Sequence, residues 1–189
     1  MQNTKIKICD TFFDKNLTHF RFRFLENIIN MNDLVHLKEF PNLDSASFND
    51  TNLNDIGLKY IVECKQIDNL NLQLTKVTDT GLALLSQLKD LKYLRLKENH
   101  QLTNNCIKHI NELENLIDLQ IQDTNIDQFG LEQLALTKLE SLIVDVWQEN
   151  HSFNSLITLS RRLPNSNIVA KGKGEFYNGK FNGNWDTEY

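Results

Sequence analysis

The chain has 189 residues, of which 40% are hydrophobic and 24% charged, and its formal net charge is -5. These values are typical of one globular unit that buries a core, and the acidic balance argues against a nucleic-acid binder, which needs a basic surface for phosphates. The three cysteines are an odd number without a close pair, which predicts neither a disulfide framework nor a zinc cluster and favours a reducing, cytoplasmic location.

Residues 1–16 are predicted to form an N-terminal cap. They lack the apolar core of a signal peptide, and the chain has no run of about 18 apolar residues, so neither secretion by a leader nor a membrane-spanning helix is expected. Residues 5–9 alternate in polarity and predict one extra strand that covers an open sheet edge.

A repeat of 23 to 27 residues follows, defined by the pattern apolar-x-x-apolar-x-apolar. A fixed period of this length predicts a solenoid of stacked supersecondary units. Function in such an array is expected to be surface recognition. The seven copies begin at Leu17, Leu43, Ile67, Leu91, Leu116, Leu139 and Ser166.

Each repeat divides into a strand half and a helix half, as residues 67–90 show. Apolar and polar residues alternate over 70–73, which predicts a short strand with one buried face. Thr78 or Asp79 is expected to cap the following helix, and Gly81 lies at the crowded turn where that helix begins. The apolar stripe of the helix consists of Leu82, Leu85 and Leu88.

A Thr or Asn lies eight residues after the start of four consecutive copies. At the bend that leaves a strand, such side chains are expected to bridge backbone groups of neighbouring turns, a structural role. These residues are Thr51, Thr75, Asn99 and Thr124.

The repeated residues resemble the leucine-rich repeat family from Leu17 to Lys171. The segments that begin at Thr51 and Thr75 are similar to the bacterial GALA-like and cysteine-containing subclasses. The resemblance implies an α/β, right-handed horseshoe of about seven repeats over residues 17–170, with a parallel sheet on the concave face and helices on the convex face. It also implies protein binding through the concave face or its rims, and it brings no catalytic residues.

Residues 171–189 are predicted to form a C-terminal hairpin cap or tail. Asn178-Gly179 is a strong signal for a two-residue β-hairpin turn. Phe176, Phe181 or Trp185 would then cover the last turn of the solenoid. The segment also resembles a single MORN-type repeat, which leaves a lipid-binding or partner-binding tail as the alternative.

Nothing in the sequence indicates catalysis. The five histidines and three cysteines lack the spacings of metal sites, and no nucleophile or phosphate-loop motif occurs. The chain is therefore predicted not to be an enzyme and to need neither cofactor nor metal.

Strand positions three, five and seven of each repeat should point away from the core. Tyr93 and Arg95 lie centrally, and Tyr, Trp and Arg dominate binding hot spots. Trp147 either projects in a binding loop or packs under the C-terminal hairpin, and a solvated face without a partner is the alternative for the whole surface. The candidate partner-binding residues are Arg21, Arg23, Asn71, Gln73, Tyr93, Arg95, Lys97, Asp118, Gln120, Gln122, Ile143, Asp145 and Trp147.

We therefore expect a cytoplasmic protein–protein interaction module whose partner is another protein. A stand-alone inhibitor, such as a bacterial immunity protein that neutralises a toxin, is one form of this prediction, and an adaptor is another. The alternatives are a secreted effector and a membrane-associated scaffold that uses the MORN-like tail. Binding to nucleic acid or to a membrane is not expected.

Overall fold

The computed structural model describes residues 4–22, 28–146 and 150–186. Its first element is a hairpin of β1 (Lys5–Ile8) and β2 (Thr11–Asp14), which pair antiparallel. The sequence predicted that residues 5–9 add a strand to the main sheet, and this is wrong. The turn at Cys9 and Asp10 lets β2 fold back on β1, so the two strands form a sheet of their own.

One short strand from each repeat builds the main sheet. These seven strands are parallel, and neighbouring strands pair residue for residue, so equivalent positions of successive repeats form straight rows across the sheet. The strands are β3 (His19–Arg21), β4 (Ser45–Ser47), β5 (Asn69–Asn71), β6 (Tyr93–Arg95), β7 (Asp118–Gln120), β8 (Ser141–Val144) and β9 (Asn167–Ala170).

The return segments are short helices, and several are 3₁₀ rather than α. A repeat of about two dozen residues leaves little chain after its strand and bends, and 3₁₀ helices suit such short connections. The α-helices are α1 (Asp55–Ile61), α2 (Asp79–Leu82), α3 (Ile107–Ile110), α4 (Gln128–Leu131) and α5 (Phe153–Arg162). The 3₁₀ segments are Met31–Glu39, Ala83–Gln87 and Asn104–Cys106.

The core lies between the sheet and the helices. The middle residue of every three-residue strand is buried, and so are the predicted helix positions Leu82, Leu85 and Leu88. Aromatic clusters fill both ends. Phe20 packs among Phe13, Phe22 and Phe48 at the first repeat, and the other cluster comprises Phe153, Phe176, Phe181 and Trp185.

The buried bend residues act in two different ways. The hydroxyls of Thr51 and Thr124 donate to carbonyls three residues earlier in their own turns, at 2.7 and 2.8 Å. Asn99 alone of the four reaches both turns with its amide nitrogen, which donates to Leu72 O and Leu96 O at 2.8 Å each. The expected bridging to backbone groups of a neighbouring turn is thus correct for Asn99, whereas the hydroxyls of Thr51 and Thr124 bond within their own turns. Thr75 bonds within its own turn to Leu72 O and also donates to the side chain of Asn99 in the next repeat.

The last part of the chain forms a hairpin of β10 (Gly174–Tyr177) and β11 (Lys180–Gly183), which extends the main sheet. β10 pairs antiparallel with β9, and Asn178 and Gly179 form the turn with φ of 46° and 73°. This turn has the positive φ values that an Asn-Gly pair favours.

Candidate protein-binding face

The side of the main sheet that faces away from the helices carries the candidate site. We call it the open face, and it consists of the first and third residues of β3 to β7 together with their counterparts in β8 and β9. Over β3 to β7 it forms a groove of about 620 Å³. The floor is polar, because the apolar middle residues of the strands point the other way.

Strand register orders the groove into two rows. The first row is formed by the leading strand residues, and the second row by the trailing ones. Tyr93 in the first row is 41% exposed, and Arg95 in the second row is exposed as well. The first row is His19, Ser45, Asn69, Tyr93 and Asp118, and the second is Arg21, Ser47, Asn71, Arg95 and Gln120.

Two side-chain hydrogen bonds in series hold Arg95 in place. Its Nε donates to Gln120 Oε1 at 2.8 Å, and Gln120 Nε2 donates to Asp118 Oδ1 at 3.2 Å. Gln120 therefore lies between Arg95 and Asp118, which is the only carboxylate among the described residues that line the groove. Among the described residues Arg95 forms no ion pair.

The rest of the floor offers small hydrogen-bonding groups. His19 Nδ1 and Ser45 Oγ are hydrogen-bonded at 2.8 Å, and Asn71 Oδ1 accepts from the amide of Gln73 at 3.0 Å. The last bond uses the oxygen of Asn71, and its NH₂ group forms no hydrogen bond with any described residue. Groups of this kind can bond the backbone of a bound segment.

Six of the predicted residues therefore share one groove, and two more lie at its edge where the strands end. At this edge Lys97 and Glu98 form an ion pair at 2.7 Å, and Gln73 Nε2 donates to Glu98 Oε2 at 3.2 Å. The hydrogen bond from Lys97 lowers the pKa of Glu98 and so keeps this carboxylate charged. The six groove residues are Arg21, Asn71, Tyr93, Arg95, Asp118 and Gln120.

Gln122 and Asp145 do not lie on the exposed surface that the alternation predicted. They are 7% and 4% exposed, whereas Asn49 at the same position of its repeat is exposed. In the earlier repeats the backbone carbonyl of this position accepts the amide of the preceding bend, as in Leu74 N to Lys97 O at 3.0 Å. Asp145 replaces that carbonyl with its carboxylate, which accepts from Asp123 N at 2.5 Å.

The remaining candidates lie elsewhere. Ile143 is half-buried on β8, beyond the groove lining. Arg23 and Trp147 lie outside the described residues, so their predicted contribution stays a prediction. His19, Ser45, Ser47 and Asn69 line the groove although they were not among the candidates, and the strand alternation already placed them there.

A buried histidine just before α5 was also missed. His151 is 3% exposed, and neither of its ring nitrogens has a hydrogen-bond partner among the described residues. Burial lowers its pKa, and the nearby carboxylates of Asp145 and Asp127 only partly oppose this. The imidazole is therefore neutral near pH 7. No spacing in the sequence indicates this, since the burial depends on how the last repeats stack.

The described residues provide few reactive groups. Burial raises the pKa of the Cys64 thiol to about 11 and, together with Asp79, that of Cys106 to about 12, so both are protonated and poor nucleophiles at neutral pH. No cluster of three or more His, Cys, Asp or Glu that could hold a metal occurs in the described ranges. None of the helices described there has the length and apolarity needed to cross a bilayer.

Comparison with solved structures identifies the fold. An internalin C2 from Listeria monocytogenes is 26% identical over 72% of this chain and 54% of its own, with a TM-score of 0.54. The leucine-rich repeat-containing protein LegL7 from Legionella pneumophila is 15% identical over 78% of this chain and 54% of its own, with a TM-score of 0.50. The chain has the fold of leucine-rich repeat proteins.

The chain spans about half the length of these solved structures. No protein-family profile matches the sequence, and no curated protein matches it. The GALA-like subclass, the right-handed winding, the MORN resemblance and the division at residues 16 and 170 stay predictions.

Proposed function

We propose that this chain is a non-catalytic protein-interaction module that binds a partner protein through its open face. The observation that carries the proposal is the groove over β3 to β7, where Tyr93 and Arg95 are exposed side by side on a sheet that the core holds rigid. Tyr and Arg are enriched in hot spots because they contribute large contact areas and directed hydrogen bonds. The leucine-rich repeat fold supports the same proposal.

The test measures affinity for a partner captured from native lysate. Tyr93→Ala and Arg95→Ala should each weaken binding by about 1–3 kcal/mol, which is the usual range for hot-spot residues. Phe129→Ala is the matched control, because Phe129 is 60% exposed on α4, on the helix side of the molecule. Wild-type affinity for both face variants, or a comparable loss for Phe129→Ala, would contradict the proposal.

The finer form of the proposal is an inhibitor that covers the working surface of its partner, as a toxin-neutralising immunity protein does. A groove spanning five strands supports it, since a partner bound there would be covered over a broad surface. The test is co-expression with a growth-inhibiting protein encoded next to this chain: the wild-type chain should rescue growth, and Arg95→Ala should weaken the rescue. If growth is not rescued by the wild-type chain, the inhibitor form fails while the interaction module stands.

The C-terminal hairpin has a packing role that competes with lipid binding. Phe176 is buried, and its ring lies 5.2 Å from that of Phe153 on α5. Phe181 and Trp185 join the same cluster. These aromatic side chains are therefore occupied in covering the last repeat, which supports the cap and not the membrane-scaffold alternative.

A further inference from the structure

We propose that the groove recognises a short acidic segment of its partner and that Arg95 binds a carboxylate of that segment. The inference rests on the proposed function and names the chemistry of the partner at the same face. It is drawn from charge, from hydrogen bonding and from the space around Arg95.

The charge of the groove differs in sign from that of the chain. The chain has a formal net charge of -5. Among the described residues, the groove lining contains Arg21 and Arg95 against Asp118, a formal balance of +1 with His19 counted as neutral. A groove of positive balance on an anionic protein attracts carboxylates locally, while the surrounding negative charge repels a long polyanion such as nucleic acid.

The hydrogen bonding of Arg95 leaves its outer edge available. Only Nε is used, in the 2.8 Å bond to Gln120. The two terminal nitrogens form no hydrogen bond or ion pair with any described residue. A guanidinium held by one nitrogen presents a fixed pair of donors, and this geometry matches the two oxygens of a carboxylate.

The neighbours of Arg95 set the form of the segment. Tyr93 lies two residues away on the same strand and offers an exposed ring for an apolar neighbour of the carboxylate. Between β6 and β3 the floor consists of Ser and Asn side chains, which can bond a peptide backbone. Three strand spacings separate β6 from β3, about 14 Å, which is about four residues of extended chain.

The probe is a random 12-residue peptide library displayed on phage and selected against the wild-type chain. Asp or Glu beside an apolar residue should be enriched, and a synthetic peptide of the leading sequence should bind at least tenfold more weakly to Arg95→Gln. Lys59→Gln, which removes the same charge from α1, is the control and should bind as the wild type does. Changing the peptide carboxylate to its amide should weaken binding to the wild type but not weaken binding to Arg95→Gln any further, because both changes remove the same contact.

Other outcomes overturn the inference. Selection of neutral or basic peptides that still require Tyr93 would refute acidic recognition and leave the protein-binding face intact. Peptides whose binding depends on neither Tyr93 nor Arg95 would refute both acidic recognition and the protein-binding face. The absence of any enriched peptide would refute the recognition of an acidic segment. If a 20-nucleotide oligothymidylate binds and Arg95→Gln abolishes that binding, the groove is a nucleic-acid site instead. The melting temperature of each variant is measured, and a value close to that of the wild type excludes unfolding as the cause of weaker binding.

Discussion

Asp55 and Gly81 occupy the same small space between neighbouring repeats. The Asp55 carboxylate accepts from Thr78 N at 2.9 Å and from Thr78 Oγ1 at 2.7 Å, and so ties the start of α2 to the preceding repeat. A Cβ at position 81 would collide with Asp55 Oδ1, the oxygen that accepts from Thr78 N. Glycine is therefore required here by the side chain of the neighbouring repeat and not by a left-handed backbone.

This conflict predicts a non-additive pair of substitutions. Gly81→Ala should cost about 1–2 kcal/mol of unfolding free energy, since overpacking exceeds the helix propensity that alanine gains. In an Asp55→Ala background the same change should be neutral or stabilising, because the space is then free. Urea unfolding of the four chains measures this, and strictly additive costs would show that the two side chains do not compete.

The second residue-scale prediction concerns pH. The folded pKa of His151 is lowered by burial, so its protonation favours the unfolded chain. The contribution of His151 to the free energy of unfolding is fully present above the pKa of the unfolded chain, about 6.5, and is lost as the pH falls below that value. The slope contributed by one histidine approaches about 1.4 kcal/mol per pH unit.

Unfolding free energies between pH 7.5 and 5 test this prediction. His151→Gln should flatten the acid side of the profile, and the exposed His100→Gln is the matched control. An unchanged profile in His151→Gln would mean that the imidazole is accessible to protons in the folded protein.

At the scale of elements, the bends after the strands determine how repeats join. Each bend after β4 to β7 contains a non-glycine residue with positive φ, between 51° and 61°, and its amide bonds to the next repeat. Most of these residues are acidic, while Leu74 is 42% exposed. The bend residues are Asp50, Leu74, Glu98 and Asp123.

Asn99 should be the most costly of the buried bend residues to remove. Asn99→Ala loses bonds to Leu72 O and Leu96 O and the bond from Thr75 N, at 2.9 Å, which leaves buried groups unpaired. We expect a cost of about 2–4 kcal/mol, against about 1 kcal/mol for Thr124→Val, which loses the bond to Ile121 O and the long 3.4 Å bond from Ile126 N.

Guanidinium unfolding measures both costs, and Asn99→Thr should recover part of the loss because threonine fills this position in three other repeats. Equal costs for Asn99→Ala and Thr124→Val would contradict the bridging role of Asn99.

For the whole molecule, the repeat spacing predicted a solenoid, and the resemblance of the repeated residues implied the leucine-rich repeat fold. The strand alternation predicted the exposure of Tyr93 and Arg95. Alternation over three residues sufficed, because each three-residue strand of the main sheet has one buried residue between two that are exposed or half-buried. Positions that depend on a neighbouring repeat could not be predicted. Gln122 and Asp145 are buried by the bend beside them, and β1 pairs with β2 because of a local turn.

In the candidate site, too, the features set by the repeat could be predicted. The sequence predicted which side chains share the open face, since strand register follows from the repeat. It did not predict that Gln120 separates Arg95 from Asp118, because side-chain partners across strands depend on rotamers. Because of this local detail, Arg95 bonds to a neutral amide and forms no ion pair with any described residue.

The most direct measurement of the central claim is hydroxyl-radical footprinting of the chain alone and in complex with its captured partner. The account predicts that oxidation of Tyr93 falls several-fold in the complex, because the partner covers the open face, while Phe129 on the helix side is oxidised as before. Protection of Phe129 with unchanged oxidation of Tyr93 would place the partner on the helices and contradict the account.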